Sequence, residues 1–254
     1  MRGDAGPALR AVDLRDRRRA TGARTVDRNR KVVLGWFVLF LSAICFEGLG
    51  RKTFVPLPGI AFYLLKDAFL VAGAVVFGLG TEQFERARGL FRGFGAMLAL
   101  AVAVTLIQVF NPEQSSLAMG MLGVRAYWLW WLAPLVLGTA LADGPTARQS
   151  VRVLAVVAIL VAAYAALQFS RPATDSLNLY TQFGDVTPET TVVTSTGRPR
   201  VSSTFSYISG FAAFVSIVPM LLLSLGLGAG DRVTRLLAFV GSAAGAITMP
   251  MAGS

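Results

Sequence analysis

The sequence predicts an all-α, polytopic transmembrane bundle. Of its 254 residues, 54% are hydrophobic and only 15% charged, with a mean hydropathy of +0.60. A soluble domain of this length carries roughly a quarter charged residues. The apolar residues fall in long blocks separated by short basic connectors, and about 17–25 apolar residues are what a helix needs to cross a bilayer. The blocks also lack the alternation of a membrane β-barrel, whose strands read with a period of two.

Seven blocks meet the length requirement: Val32 to Gly50, Gly59 to Gly80, Gly93 to Phe110, Ala126 to Ala142, Val153 to Phe169, Tyr207 to Gly228 and Leu236 to Gly253. Residues 1–31 precede them with ten Lys/Arg, four Asp and no apolar run. That composition predicts a disordered basic tail at the cytoplasmic face rather than a cleaved leader. No aromatic residue is interleaved with those charges, so a nucleic-acid partner is not expected. Residues 32–254 then form the bundle. Cys45 is the only cysteine, which excludes an internal disulfide, and there is no histidine. Neither a metal-ligand cluster nor a nucleotide-binding loop is present, so no metal and no cofactor are expected.

Charge fixes the expected orientation. With the N-terminus inside, seventeen of the 24 Lys/Arg lie in inner segments and six in outer ones, with Lys66 inside a span. This asymmetry satisfies the positive-inside rule. Two outer positives have ready structural readings. Arg51 lies four residues after Glu47, a spacing at which helical side chains pair. Arg125 begins the fourth block and can snorkel outward beside Tyr127, Trp128, Trp130 and Trp131, an interfacial aromatic belt. The small-residue spacings Gly73–Phe77–Gly80 and Gly241–Gly245 fit close helix packing.

Lys66 and Asp67 stand about a third of the way into the second block. A charge at the bilayer centre costs about 2.5–3.5 kcal/mol on insertion scales. Adjacent helical residues diverge by about 100°, so these two do not simply neutralise each other. Each needs a polar partner inside the bundle, and Glu47 at the end of the first block is a candidate for Lys66. A packing ion pair and a substrate contact are both compatible with this pattern.

The connector at residues 170–206 is the only long one and carries TTVVTST, a β-branched run that suits an extended strand or short hairpin. It ends in GRPRVSSTFSYISGF. Pro199 extends the backbone before it, so Arg198 and Arg200 project to one side about 7 Å apart, a spacing that suits the two phosphates of a diphosphate. Ser202, Ser203, Thr204 and Ser206 can cap the sixth span, whose positive helix N-terminus faces the same place. Anchoring to lipid phosphates is the alternative use of the two arginines.

Four stretches resemble the O-antigen ligase and polysaccharide polymerase family of bacterial envelope glycan enzymes. They are FEGLGRKTFVP, LLKDAFLVAGAV, FNPEQSSLAMGMLGVRAYWLWWLAPLVLG and GRPRVSSTFSYISGFAAF. The resemblance implies a multi-pass glycosyltransferase of the bacterial cytoplasmic membrane, working on its outer face without metal or nucleotide sugar. Its donor would be a glycan on a polyprenyl diphosphate, and its acceptor a lipid A core or another lipid-linked glycan. It further implies that Arg198 or Arg200, together with Arg125, holds the diphosphate, and that Lys66 and Asp67 match the family's intramembrane pair. The family pattern also continues past Ser254, through further spans and a second large outer loop that often supplies a histidine, so the chain reads as its N-terminal portion. The acceptor-activating base is not identified. The other function classes compatible with the residues are a transporter of an anionic or lipid-linked substrate, and a non-catalytic fragment.

Overall fold

The computed structural model describes residues 30–53, 59–78, 82–111, 116–133, 137–138, 144–178, 197–205 and 207–253. The described residues are mostly helical, with no strand among them. Helix α1 covers residues 30–45, and α2 is Glu47–Thr53. Helix α3, Gly59–Gly73, runs on into a π-helical turn at Ala74–Gly78. Helix α4 is Glu82–Val109. Helix α5, Leu117–Trp128, tightens into a 3₁₀ turn at Leu129–Leu132. Three long helices follow: α6, Gly144–Phe169; α7, Ile208–Leu227; and α8, Arg232–Gly253.

Gly144–Phe169, Ile208–Leu227 and Arg232–Ala252 are each long and apolar enough to cross a membrane. These are the fifth, sixth and seventh expected blocks. The earlier blocks depart from expectation. The first is two helices, interrupted at Phe46. Its helix begins at residue 30, so Arg30 and Lys31 belong to α1 and not to the tail; residues 1–29 lie outside the described residues. The third block is the end of a longer helix, because α4 starts at Glu82 and takes in Arg86, Arg88 and Arg92. Glu, Gln and Arg are good helix formers, so nothing in that expected connector stops the helix. The fourth block is not one helix: its first residues end α5 and the next four are 3₁₀, while residues 134–136 and 139–143 lie outside the described residues, as do 179–196 with TTVVTST.

Helix α8 packs against both α6 and α7, and small residues make this possible. A Cβ added at Gly241 would stand 3.0 Å from the Ala155 carbonyl oxygen of α6 and 3.0 Å from Leu222 of α7. One added at Gly245 would stand 2.6 Å from the Pro219 ring. The Ser242 hydroxyl donates to the Pro219 carbonyl at 2.8 Å. The Gly241–Gly245 spacing therefore serves close packing, as expected.

Helix α1 joins this unit through a shared apolar core: Trp36, Phe40 and Cys45 meet Leu70 of α3, Val161 and Ala165 of α6, and Phe211 and Val215 of α7. The Trp36 ring stacks on Phe40 at 4.9 Å, and its indole N–H donates to the Phe69 carbonyl at 2.9 Å. The same ring lies against Gly73, where any side chain would collide with it. Gly80, the far end of that spacing, lies outside the described residues.

Candidate functional site

Two ion pairs tie together the short helices. Lys66 Nζ bonds Glu47 Oε2, from α3 to α2. Arg125 Nε bonds Asp67 Oδ2, from α5 to α3. The divergence of adjacent helical side chains is what sends Lys66 and Asp67 to different neighbours. Glu47 and Asp67 are buried, at 5% and 7% exposure. The Lys66 and Arg125 side chains keep 17% and 15% of their surface. Asp67 Oδ1 is buried with no hydrogen-bond partner. Removing one member of such a buried pair costs about 3–5 kcal/mol, because the other charge is left uncompensated.

The expected partner of Lys66 is thus the one found. Glu47 was also expected to pair with Arg51, whose side chain lies outside the described residues. Arg125 needs correction. It does not open a span; it sits in the last turn of α5, and its guanidinium turns to Asp67 rather than to an interface. Trp130 likewise packs inward, its ring 6.2 Å from that of Phe40. A buried carboxylate attracts a guanidinium more strongly than an interface does. The side chains of Tyr127 and Trp131 lie outside the described residues.

The stretch from Gly197 to Phe205 is a non-helical plug inserted among helix ends. Val201, Ser202, Ser203, Thr204 and Phe205 are all buried, none more than 7% exposed. Irregular backbone at membrane depth must satisfy its polar groups against protein, and this segment does so against three helices. Val201 N–H donates to the Met251 carbonyl of α8 at 3.1 Å, and Arg200 donates to the Ala252 carbonyl through Nε at 3.4 Å and Nη2 at 3.2 Å. A guanidinium at the last carbonyls of a helix also meets the negative end of its dipole. Ser203 Oγ donates to the Val161 carbonyl of α6 at 2.7 Å, and its backbone pays for that placement with a left-handed φ of 52°.

Thr204 explains the interruption at Phe46. In an unbroken helix the Leu49 N–H would bond the Cys45 carbonyl. Instead Leu49 N–H donates to the Thr204 carbonyl at 3.1 Å, and the Thr204 hydroxyl donates to the Cys45 carbonyl. One residue of the plug has replaced a rung of the helix ladder.

The hydroxyls at 202–204 were expected to cap the sixth span. The structure gives α7 Tyr207 as its N-cap, without a side-chain cap bond; Ser203 and Thr204 serve other helices, and Ser206 lies outside the described residues. Pro199 is buried while Arg198 is exposed and Arg200 half-buried. The two arginines are engaged at different helix ends: Arg200 on α8, and Arg198 with its Cζ 5.3 Å from the Phe169 ring centroid at the end of α6. Nearby, Asn178 Nδ2 donates to the carbonyls of Gln168 at 3.1 Å and Pro172 at 2.9 Å, closing that end of α6.

At the opposite end, Asp231 precedes the first turn of α8 and accepts from the Thr234 N–H at 2.8 Å. Arg152 of α6 reaches both, donating to Asp231 Oδ1 at 2.9 Å and Thr234 Oγ1 at 2.8 Å. The Thr234 backbone N–H first, then the Thr234 hydroxyl and Arg152, hold the Asp231 carboxyl down to about 2. Sequence reading missed this lock. Its signal was present: an Asp three residues before a Thr at the head of an apolar block is an N-cap pattern.

Four short stretches, far apart in sequence, therefore converge. FEGLG meets LLKD through Glu47 and Lys66, LLKD meets GVRAY through Asp67 and Arg125, and SSTF meets FEGLG through Thr204 and Leu49. No protein-family model matches the chain, and no curated protein or solved structure does.

Proposed function

We propose that the chain belongs to a membrane glycosyltransferase of the O-antigen ligase and polysaccharide polymerase type. The observation that supports this reading is the convergence just described: the stretches that carry the resemblance are those that meet in one polar cluster within an apolar bundle. In this reading the chain lies in the bacterial cytoplasmic membrane with its N-terminus inside and about seven spans. The plug and the two ion pairs lie toward the outer face, where a polyprenyl diphosphate presents its glycan. An acceptor hydroxyl oxygen, on a lipid A core or another lipid-linked glycan, attacks the anomeric carbon as the bond to the diphosphate breaks. Arg198, exposed beside the plug, and Arg200 and Arg125 stabilise the charge that develops on the leaving diphosphate.

The test is glycan transfer in cells expressing the full chain, read as the length distribution of surface glycan. Arg198→Ala and Arg200→Ala are expected to abolish transfer at unchanged membrane abundance. Normal glycan length in both variants would sink the proposal. A second reading, transport of an anionic or lipid-linked substrate, draws on the ion pairs standing at span depth. It requires that substrate moves across the membrane with no covalent product formed.

A further inference from the structure

We propose that Lys66 and Arg125 form an anion site for a phosphate or diphosphate group, and that Glu47 and Asp67 are internal counter-ions which occupy it when it is empty. The inference rests on the reading of the chain as acting on a diphosphate-linked substrate, and it assigns a role to the two carboxylates that this reading leaves unused. Three observations carry it.

Two cations stand side by side through adjacent residues of one helix and a third element: Lys66 and Asp67 are neighbours on α3, and Asp67 holds Arg125 of α5. In both pairs the acid is the deeper member. Glu47 and Asp67 are 5% and 7% exposed, while the side chains of Lys66 and Arg125 retain 17% and 15%. The accessible surface of the cluster is therefore cationic, with its neutralising charge behind. The third observation is Asp67 itself, which gives Oδ2 to Arg125 and leaves a buried Oδ1 without a hydrogen bond. A pair kept for stability alone satisfies both carboxylate oxygens, since each buried unmade bond costs about 1–3 kcal/mol. This pair is only half built.

The arrangement solves a problem that any intramembrane anion site faces. Two uncompensated cations at this depth would be too costly to keep in the empty protein. With internal carboxylates the empty cluster is neutral. When a diphosphate binds, its oxygens take over the cations and the carboxylates are displaced, so each carboxylate is a competitor of the ligand. The sign of its removal follows: neutralising an acid strengthens ligand binding, whereas a carboxylate that merely positions its cation would weaken binding when removed.

The experiment uses the purified full chain in detergent, with inorganic pyrophosphate and farnesyl diphosphate as probes, and reads their dissociation constants. Glu47→Gln and Asp67→Asn are expected to bind at least about tenfold tighter than wild type, as loss of a competing charge in a partly buried site demands. Lys66→Gln and Arg125→Gln are expected to bind at least about tenfold more weakly. The neutral pairs Lys66→Gln with Glu47→Gln, and Arg125→Gln with Asp67→Asn, guard against misfolding of the single variants; both are expected to fold and to lose binding. Binding of both probes supports a site for the diphosphate group itself, and binding of farnesyl diphosphate alone supports a lipid-linked source. Unchanged or weakened binding in Glu47→Gln and Asp67→Asn overturns the inference, as does wild-type binding in the neutral pairs. A wild-type chain that binds neither probe overturns it as well, while surface glycan length still decides the proposed function separately.

Discussion

The two ends of the chain hold their helices together by different means. In α6, α7 and α8, long apolar helices approach until only glycine fits, with Gly241 against the Ala155 backbone and Gly245 against Pro219. The ion pair there, Arg152 with Asp231, is peripheral, with side chains 41% and 27% exposed. In α2, α3 and α5 the helices are short or broken, and two far less exposed ion pairs join them. Between lipid-facing helices the hydrophobic effect offers no attraction, so close packing or polar bonds must supply it. Long helices lined by small residues can rely on packing. Short ones cannot, and there the charged pairs decide which helix meets which.

The largest effect is expected where charge does the joining. Arg125→Leu should lower stability by about 3–5 kcal/mol, since Asp67 is left buried and unpaired. Adding Asp67→Leu should restore most of it, read as the thermal midpoint of purified protein in detergent. A single variant that melts like wild type would mean that packing organises both halves alike. Gly241→Leu should come next, at the upper end of the about 1–3 kcal/mol that overpacking costs. All four tryptophans, Trp36, Trp128, Trp130 and Trp131, lie in the front half. Their native emission should hardly change in Gly241→Leu, and a large shift would mean that the halves are not separable.

The plug between them gives a smaller, signed test. Ser203→Ala should cost about 1 kcal/mol for the lost bond to Val161. Ser203→Gly loses the same bond but should regain about 1 kcal/mol or more, because glycine adopts the left-handed backbone without penalty. Ser203→Gly proving less stable than Ser203→Ala would contradict the role assigned to that φ. The smallest effect concerns Asp231. Its carboxyl, held at about 2 against an ordinary 3.8, contributes stability that is complete above the ordinary value and is lost as pH falls through the folded one. Wild-type melting should therefore drop between about pH 4 and pH 2 with a component that Asp231→Asn lacks.

The last three spans were legible because their blocks are uniformly apolar and end at turn residues, and a helix with no competing partner follows its own pattern. The first block was equally apolar, yet it is broken. What breaks it is Thr204, 159 positions away, and no local pattern around Phe46 carries that information. The same holds for Arg125: a tryptophan-rich neighbourhood argued for an interface, while the carboxylate that captures it lies 58 residues earlier. Glu47 and Lys66 could be paired from sequence because both were costly apolar-block charges with few candidates to choose from. The plug hydroxyls were read as caps because they precede a helix. Their actual acceptors are backbone carbonyls of other helices, and carbonyls leave no mark in a sequence.

The splice at Thr204 also sets an order of events in time. While the chain is being made, the Leu49 N–H and the Cys45 carbonyl have each other as helical partners, so the first helix can run straight through Phe46. Thr204 is synthesised 159 residues after Cys45, about 8–30 s later at about 5–20 residues per second. Only then can the rung be exchanged and the helix divide. The kink that ends α1 and starts α2 at Glu47 is thus a late product of maturation, made from a segment that was born straight.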